Sequence, residues 1–148
     1  RIWWSLHQQK IKFRIATKPV GQTAQLEVRR AGAVRNVRLP LEAAPEDPPR
    51  EQTLIKVGPL AGATVANLSP AVAEEASMSS DASGVVILSV ARGSPAERFR
   101  LRPRDIVLSV DGQEIHRVRD LVNVMSNQQS AWRIAVQRGE QTLNLVIR

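Results

Sequence analysis

Residues 84–115 read GVVILSVARGSPAERFRLRPRDIVLSVDGQEI, and this stretch decides the fold. It opens with Val85-Val86-Ile87-Leu88 and Val90, a β-branched run with no polar alternate at its start, the pattern of a strand buried on both faces. Arg92-Gly93-Ser94-Pro95 ends that strand. Gly93 supplies a free φ, Ser94 is placed to cap a helical turn, and Pro95 presets the first helical φ. The helical turn spans residues 95–100, and residues 106–110, IVLSV, form a second strand. Asp111-Gly112 then signals a hairpin, because both central residues of that turn type take positive φ.

Working outward, residues 118–125 place Val118, Leu121, Val122 and Met125 at spacings of three, four and seven, one apolar stripe of a helix that starts near Arg117. Residues 132–136 form a strand, Arg138-Gly139 a turn, and residues 142–147 a closing strand. Upstream, Pro59-Leu60-Ala61-Gly62-Ala63 is a loop of mostly small residues, followed by strand residues Thr64 and Val65. Small side chains let backbone approach an anion, and Gly62 can take the left-handed conformation that turns successive N–H groups into one concavity. His116, just before the helix, is favoured as a solvated turn histidine over a selectivity residue.

The chain of 148 residues is 43% hydrophobic and 24% charged, ordinary values for a globular protein with one core and a fragment of another. Three Trp, two Phe and no Tyr make that core aliphatic. No apolar run approaches the roughly 20 residues that span a bilayer, and the first residues do not resemble a signal peptide. The chain begins without Met, so it is expected to be excised from a longer protein. The absence of cysteine excludes disulfides, thiolate zinc sites and a cysteine nucleophile. The net charge of +7 invites a nucleic-acid reading, but its location argues otherwise. Residues 1–50 hold ten Lys and Arg against four Asp and Glu, while residues 51–148 hold eleven against ten. The excess lies outside the segment that carries the motif. Arg29, Arg30, Arg35 and Arg38 alternate with Val28, Val34, Val37 and Leu39, which favours a solvated strand face over a phosphate-binding stripe, and no aromatic residues interleave for base stacking.

A partial internal repeat sets the domain organisation. AQLEVRRAGAVRNVRLPLE and AWRIAVQRGEQTLNLVIR align with similar turn positions. Residues 12–16 then correspond to a helix end, 24–28 to a strand, Arg30-Ala31-Gly32 to a turn and 34–41 to a closing strand. The expected organisation is a divergent segment 1–11, the C-terminal part of a first domain copy at 12–42, a proline-rich linker at 43–50 and a complete domain at 51–148. Trp3 and Trp4 belong to the divergent segment, where a terminus with accidental packing outweighs a ligand-binding pair.

The 84–115 stretch resembles a pattern common in bacterial PDZ domains. Gly62-Ala63-Thr64 is similar to the loop in the second PDZ domain of HtrA or Do-type serine proteases. The resemblance covers about residues 12–148, including the repeat and the linker. It implies an α+β, mainly β fold: a PDZ-like, partly open β-barrel with two short helices, preceded by a partial PDZ copy. It also implies that an extended segment or C-terminus of a substrate joins the sheet by strand addition. The implied carboxylate loop is Leu60, Ala61, Gly62 and Ala63; the implied groove is Thr64, Val65, Ile87, Val118, Leu121, Val122 and Met125, with Leu121 and Met125 as the pocket wall. Implied partners are peptide or unfolded-protein C-termini, the parent protease domain and sister subunits, with strand exchange between two chains as a further expectation. The implied setting is protein quality control in the periplasm; no cofactor, metal, nucleic acid or membrane span is implied. The sequence departs from the family where Ala-Gly-Leu and a Gly-Asp pair are usual, because Arg100 and Arg104 stand at those glycines. An arginine held at positive φ costs on the order of 1 kcal/mol, so the departure bears on turn geometry and stability rather than on the fold.

Serine hydrolysis needs a base beside the nucleophile and an oxyanion hole. The two histidines are His7 and His116, no Gly-Asn-Ser-Gly-Gly or Gly-X-Ser-X-Gly turn occurs, and Ser94 is a helix cap. The expectation is therefore a noncatalytic, peptide-binding regulatory module of a trypsin-like serine endopeptidase. An assembly module with little peptide binding, and the PDZ region of a metalloprotease or secretion component, remain open beside it.

Overall fold

Two strands of alternating character, β1 (Thr23–Arg30) and β2 (Ala33–Pro40), pair antiparallel with Arg30 opposite Ala33. The computed structural model describes residues 20–30 and 32–148, and the chain divides into two units after Ala43. The expectations for residues 1–16, for the side chains of Arg29 and Arg30 and for Ala31 lie outside what the structure describes. Pairing Val28 with Arg35 and Gln25 with Arg38 puts Arg35 and Arg38 on opposite faces of the ribbon. Both are exposed, and they do not share one stripe.

The second unit contains a seven-stranded antiparallel sheet. Its strands are β3 (Thr53–Leu54), β4 (Ala63–Asn67), β5 (Val85–Val90), β6 (Ile106–Val110), β7 (Gln113–Glu114), β8 (Trp132–Arg138) and β9 (Gln141–Ile147). The order is β3-β4-β5-β6-β8-β9, with β7 paired to β6, so the sheet is open between β3 and β9. Three helices accompany it: α1 (Pro70–Glu75), α2 (Pro95–Arg98) and α3 (Val118–Met125). The sequence reading expects two. The third is α1, whose N-cap Ser69 accepts from the Val72 N–H at 3.2 Å with Pro70 at the first helical position, the same Ser-Pro cue that starts α2.

The apolar run of β5 is explained by two cores. Val85 and Ile87 point into the main cluster with Leu60, Val65, Val107, Leu121 and Ile134, whereas Val86 belongs to a second cluster with Leu68, Val72, Ala73 and Ile106 beneath α1. Each fully buried aliphatic side chain contributes about 1.5–3 kcal/mol. β5 is therefore the shared wall.

Both departures from the glycine pattern adopt the conformation that glycine would. Arg100 has φ 60° and Arg104 φ 75°. Arg100 follows the C-cap of α2 in a Schellman arrangement: its N–H donates to the Glu97 carbonyl at 2.9 Å, and the Leu101 N–H to the Ala96 carbonyl at 3.0 Å. Arg138 braces this corner. Its guanidinium donates to both carboxylate oxygens of fully buried Asp105 at 2.7 Å and to the Arg100 carbonyl at 2.9 Å, and the same carboxylate accepts from the Arg102 N–H at 2.9 Å. The bond to Asp105 holds the Arg138 pKa above the ordinary guanidinium range. Asp111 and Gly112, at φ 50° and 80°, make the hairpin turn between β6 and β7.

Replacing Arg138 with Leu leaves the Asp105 charge buried and unpaired, and is expected to cost about 3 kcal/mol in urea unfolding. Arg100→Gly is expected to raise stability by up to about 1 kcal/mol through relief of the left-handed strain. An unchanged or lower midpoint for that variant would show that the strain is absent.

Candidate functional site

The loop at residues 59–63 is shaped by its contact with the Gly93-Ser94-Pro95 turn. Gly62 has φ 91°, and a Cβ built on it would lie 2.2 Å from the Cβ of Ser94, so neither the conformation nor the space admits a side chain. Backbone bonds hold the two turns together: Ala91 N–H donates to the Gly62 carbonyl at 2.8 Å and Ala96 N–H to the Ala61 carbonyl at 3.1 Å. The N–H groups of Ala61, Gly62 and Ala63 are engaged within the chain. Ala61 donates to the Gly58 carbonyl at 3.1 Å, Gly62 to the Ile55 carbonyl at 2.9 Å, and Ala63 to the Leu60 carbonyl at 2.9 Å.

β4 carries a neighbour on each edge. On one side it pairs with β5; on the other, Thr53 lies opposite Val65 and Leu54 opposite Thr64. The pairing continues past β3, since the Ile55 N–H donates to the Ala63 carbonyl at 2.9 Å. Residues 53–55 thus run alongside β4, and residues 53–57 with Val122, Met125 and Ser126 of α3 line an open cleft of about 280 Å³. Leu54 and Val57 are half out of it, with 49% and 51% exposure, while Ile55 is buried in the main core with Leu121 and Met125.

Asn67, at the end of β4, joins three elements with one buried side chain. Its Nδ2 donates to the Pro49 carbonyl at 2.9 Å, its Oδ1 accepts from the Val118 N–H at 2.8 Å, and its own N–H donates to the Arg50 carbonyl at 2.8 Å. Val118 opens α3, so Asn67 satisfies a helix N–H that has no intrahelical partner. The Asp120 carboxylate accepts two more, from Arg117 at 2.9 Å and His116 at 3.2 Å. The expected linker is also bound to its own domain: Ala71 N–H donates to the Pro45 carbonyl at 3.1 Å, and Arg50 makes paired bonds to Glu75 at 2.7 and 2.8 Å. That guanidinium holds the Glu75 carboxyl below its usual range, although both groups are too exposed for the pair to contribute much stability.

The sequence-derived residues fall into two sets. Leu60, Ala63, Val65, Ile87, Val118, Leu121 and Met125 meet in the main core. Val122 and Met125 face the cleft, Thr64 is half-buried on β4, and Ala61 and Gly62 are half-buried in the loop. His116 is exposed, 3.3 Å from Glu114, and faces a different cavity from that of Val122. Sequence reasoning missed Ile55, Asn67 and the short strand β3 (Thr53–Leu54). Asn67 left a signal, a lone amide ending the apolar run Ala63-Thr64-Val65-Ala66; β3 left almost none.

A profile of the PDZ domain matches residues 59–148, which include the loop, β4 and α3. The chain belongs to the PDZ domain family. Among proteins similar to this PDZ chain is the periplasmic serine endoprotease DegP of Escherichia coli K12, 23% identical over 137 residues, or 93% of this chain and 26% of that protein. A probable periplasmic DegP-like serine endoprotease of Chlamydia muridarum is 33% identical over 66 residues, 45% of this chain and 13% of that protein. The chain thus spans about a quarter of the E. coli relative's length. Among solved structures, the HtrA-type protease AlgW with a decapeptide is similar at 30% identity and a TM-score of 0.52, over 66% of this chain and 28% of that one. The HtrA3 PDZ domain bound to the phage-derived ligand FGRWV shares the fold at 23% identity and a TM-score of 0.51, over 66% of this chain and 84% of that one.

Gly62→Ala is expected to destabilise the domain by more than about 2 kcal/mol, because Ser94 must move and the left-handed loop is strained. Asn67→Ala leaves the Val118 N–H and the Pro49 carbonyl without this partner and should cost about 2–3 kcal/mol. Chemical denaturation measures both; an Asn67→Ala cost below about 0.5 kcal/mol would remove the amide from its linking role.

Proposed function

We propose that this chain is a noncatalytic PDZ module of an HtrA-like serine protease, and that it takes up extended polypeptide segments by strand addition between β4 and α3. One observation carries the reading: a chain segment already lies beside β4, paired through its backbone, with one side chain turned into the core and the next outward. That is the hydrogen-bonding and side-chain pattern strand addition requires. Backbone pairing supplies affinity without regard to sequence, and the site of Ile55 supplies selectivity for an aliphatic side chain.

The parent is proposed to be a periplasmic serine endoprotease, on the strength of the DegP relatives and the similarity to AlgW. The DegP match covers 137 residues, more than one PDZ unit, which supports an earlier partial copy of the domain. The β1–β2 and β8–β9 pairs fit that arrangement, each an antiparallel pairing of consecutive strands of seven or eight residues. A second reading, an assembly module that contacts the protease domain or sister subunits, is favoured by the internal use of the β4 edge.

Fluorescence anisotropy with labelled peptides containing or ending in aliphatic residues tests the groove. Val122 is 36% exposed, so Val122→Asp should leave unfolding unchanged while weakening binding at least about fivefold. Equal binding by the native chain and this variant would move the site away from α3.

A further inference from the structure

The groove reading leaves open what the site takes in and why its edge is already filled. Resting on that reading, we propose that residues 53–57 are an internal ligand of the groove, displaced by an incoming segment that carries an aliphatic side chain at the site of Ile55 and runs on past it instead of ending in a carboxylate.

The hydrogen bonds of the loop carry the second half of this statement. A terminal carboxylate has two charged oxygens and is held by several convergent N–H donors. Here the Ala61 and Ala63 N–H groups close on the Gly58 and Leu60 carbonyls, and the Gly62 N–H meets the neutral carbonyl of Ile55. That is the donor requirement of a peptide unit in mid-chain. Beyond Ile55 the resident segment continues through Lys56 and Val57, both exposed, and turns into the loop at Gly58, whose carbonyl accepts from the Ala61 N–H.

The first half rests on how lightly the segment is held. The ladder between β3 and β4 has two residue pairs, shorter than an ordinary strand of five or six residues. Leu54 and Val57 leave half of their surface in water, and Ile55 is the anchor in the core. A tether makes even a weak strand an effective competitor, because a short linker keeps its ligand at an effective concentration on the order of millimolar. The apparent affinity for a free peptide falls by the fraction of time the groove is open. The resident segment is thus a threshold that only a matching strand at high local concentration passes.

Leu54 lies directly opposite Thr64, and the chain has no cysteine, so the full chain carrying Leu54→Cys and Thr64→Cys acquires a single disulfide that locks the segment in place. The probe is the fluorescein-labelled resident sequence REQTLIKVG, with REQTLI as free acid and as amide. The reduced protein, and separately Ile55→Ala, should bind the probe at least about tenfold more tightly than the oxidised protein, and acid and amide should agree within about twofold. If the oxidised protein binds as well as the reduced one, with resonance shifts on β4 and α3, the internal ligand is overturned and the groove stands. If the free acid binds about tenfold more tightly than the amide, the site reads carboxylates and the mid-chain claim fails. If neither reduced protein nor Ile55→Ala binds any probe while both unfold cooperatively, the groove reading itself falls.

Discussion

The amide of Asn67 fixes the distance on which the site depends. It is buried at the end of β4 and bonds the first N–H of α3 on one side and the Pro49 carbonyl on the other. A buried amide that loses a partner keeps the full cost of its desolvation, so α3 cannot drift from β4 without a penalty of some kcal/mol. The gap held in this way is wide enough for one extended strand. Residues 53–57 occupy it, and Ile55 completes the core from that side. The width of the groove and the occupancy of the groove are two consequences of one constraint.

A second polar cluster holds the opposite corner. Arg100 and Arg104 adopt backbone conformations that suit glycine, and the strain is absorbed because their neighbourhood is over-determined by hydrogen bonds. Arg138 reaches across from β8 to fully buried Asp105 and to the Arg100 carbonyl, while the Arg104 guanidinium donates to the Ser77 carbonyl at 2.8 Å. The turn that glycines would make at no steric cost is made here by arginines. A network of charge-assisted bonds holds it in place.

Membership of the PDZ family and use of a PDZ groove are separate matters, and this chain shows why. The loop at residues 59–63, proposed from the sequence as a carboxylate loop, has three of its N–H groups bonded to its own chain, and Gly62 is required by the packing of Ser94. A resident strand and an incoming peptide both need an extended backbone beside β4. On the proposed reading, which one fills the site depends on competition between tethered and free ligands, a matter of effective concentration as much as of contacts.

Much of the domain was legible in the letters. Residues 84–115 carried their own strand, cap and turn signals, because β-branched runs, Ser-Pro and Asp-Gly each act through local sterics and local hydrogen bonds. The stripe of α3 named three of its four buried residues, Val118, Leu121 and Met125, but it included Val122, which is exposed, and omitted Val124, which is buried. The sequence by itself determined these elements and their order, and through them the family. It did not determine that the stripe shares its core with Ile55, that Asn67 ties α3 to Pro49, or that the Gly62 N–H meets a carbonyl seven residues upstream. Every residue except proline brings the same backbone N–H, so the side-chain code is silent about which partner it takes. Only the tertiary approach of β3 to β4 decided that, and with it the state of the groove.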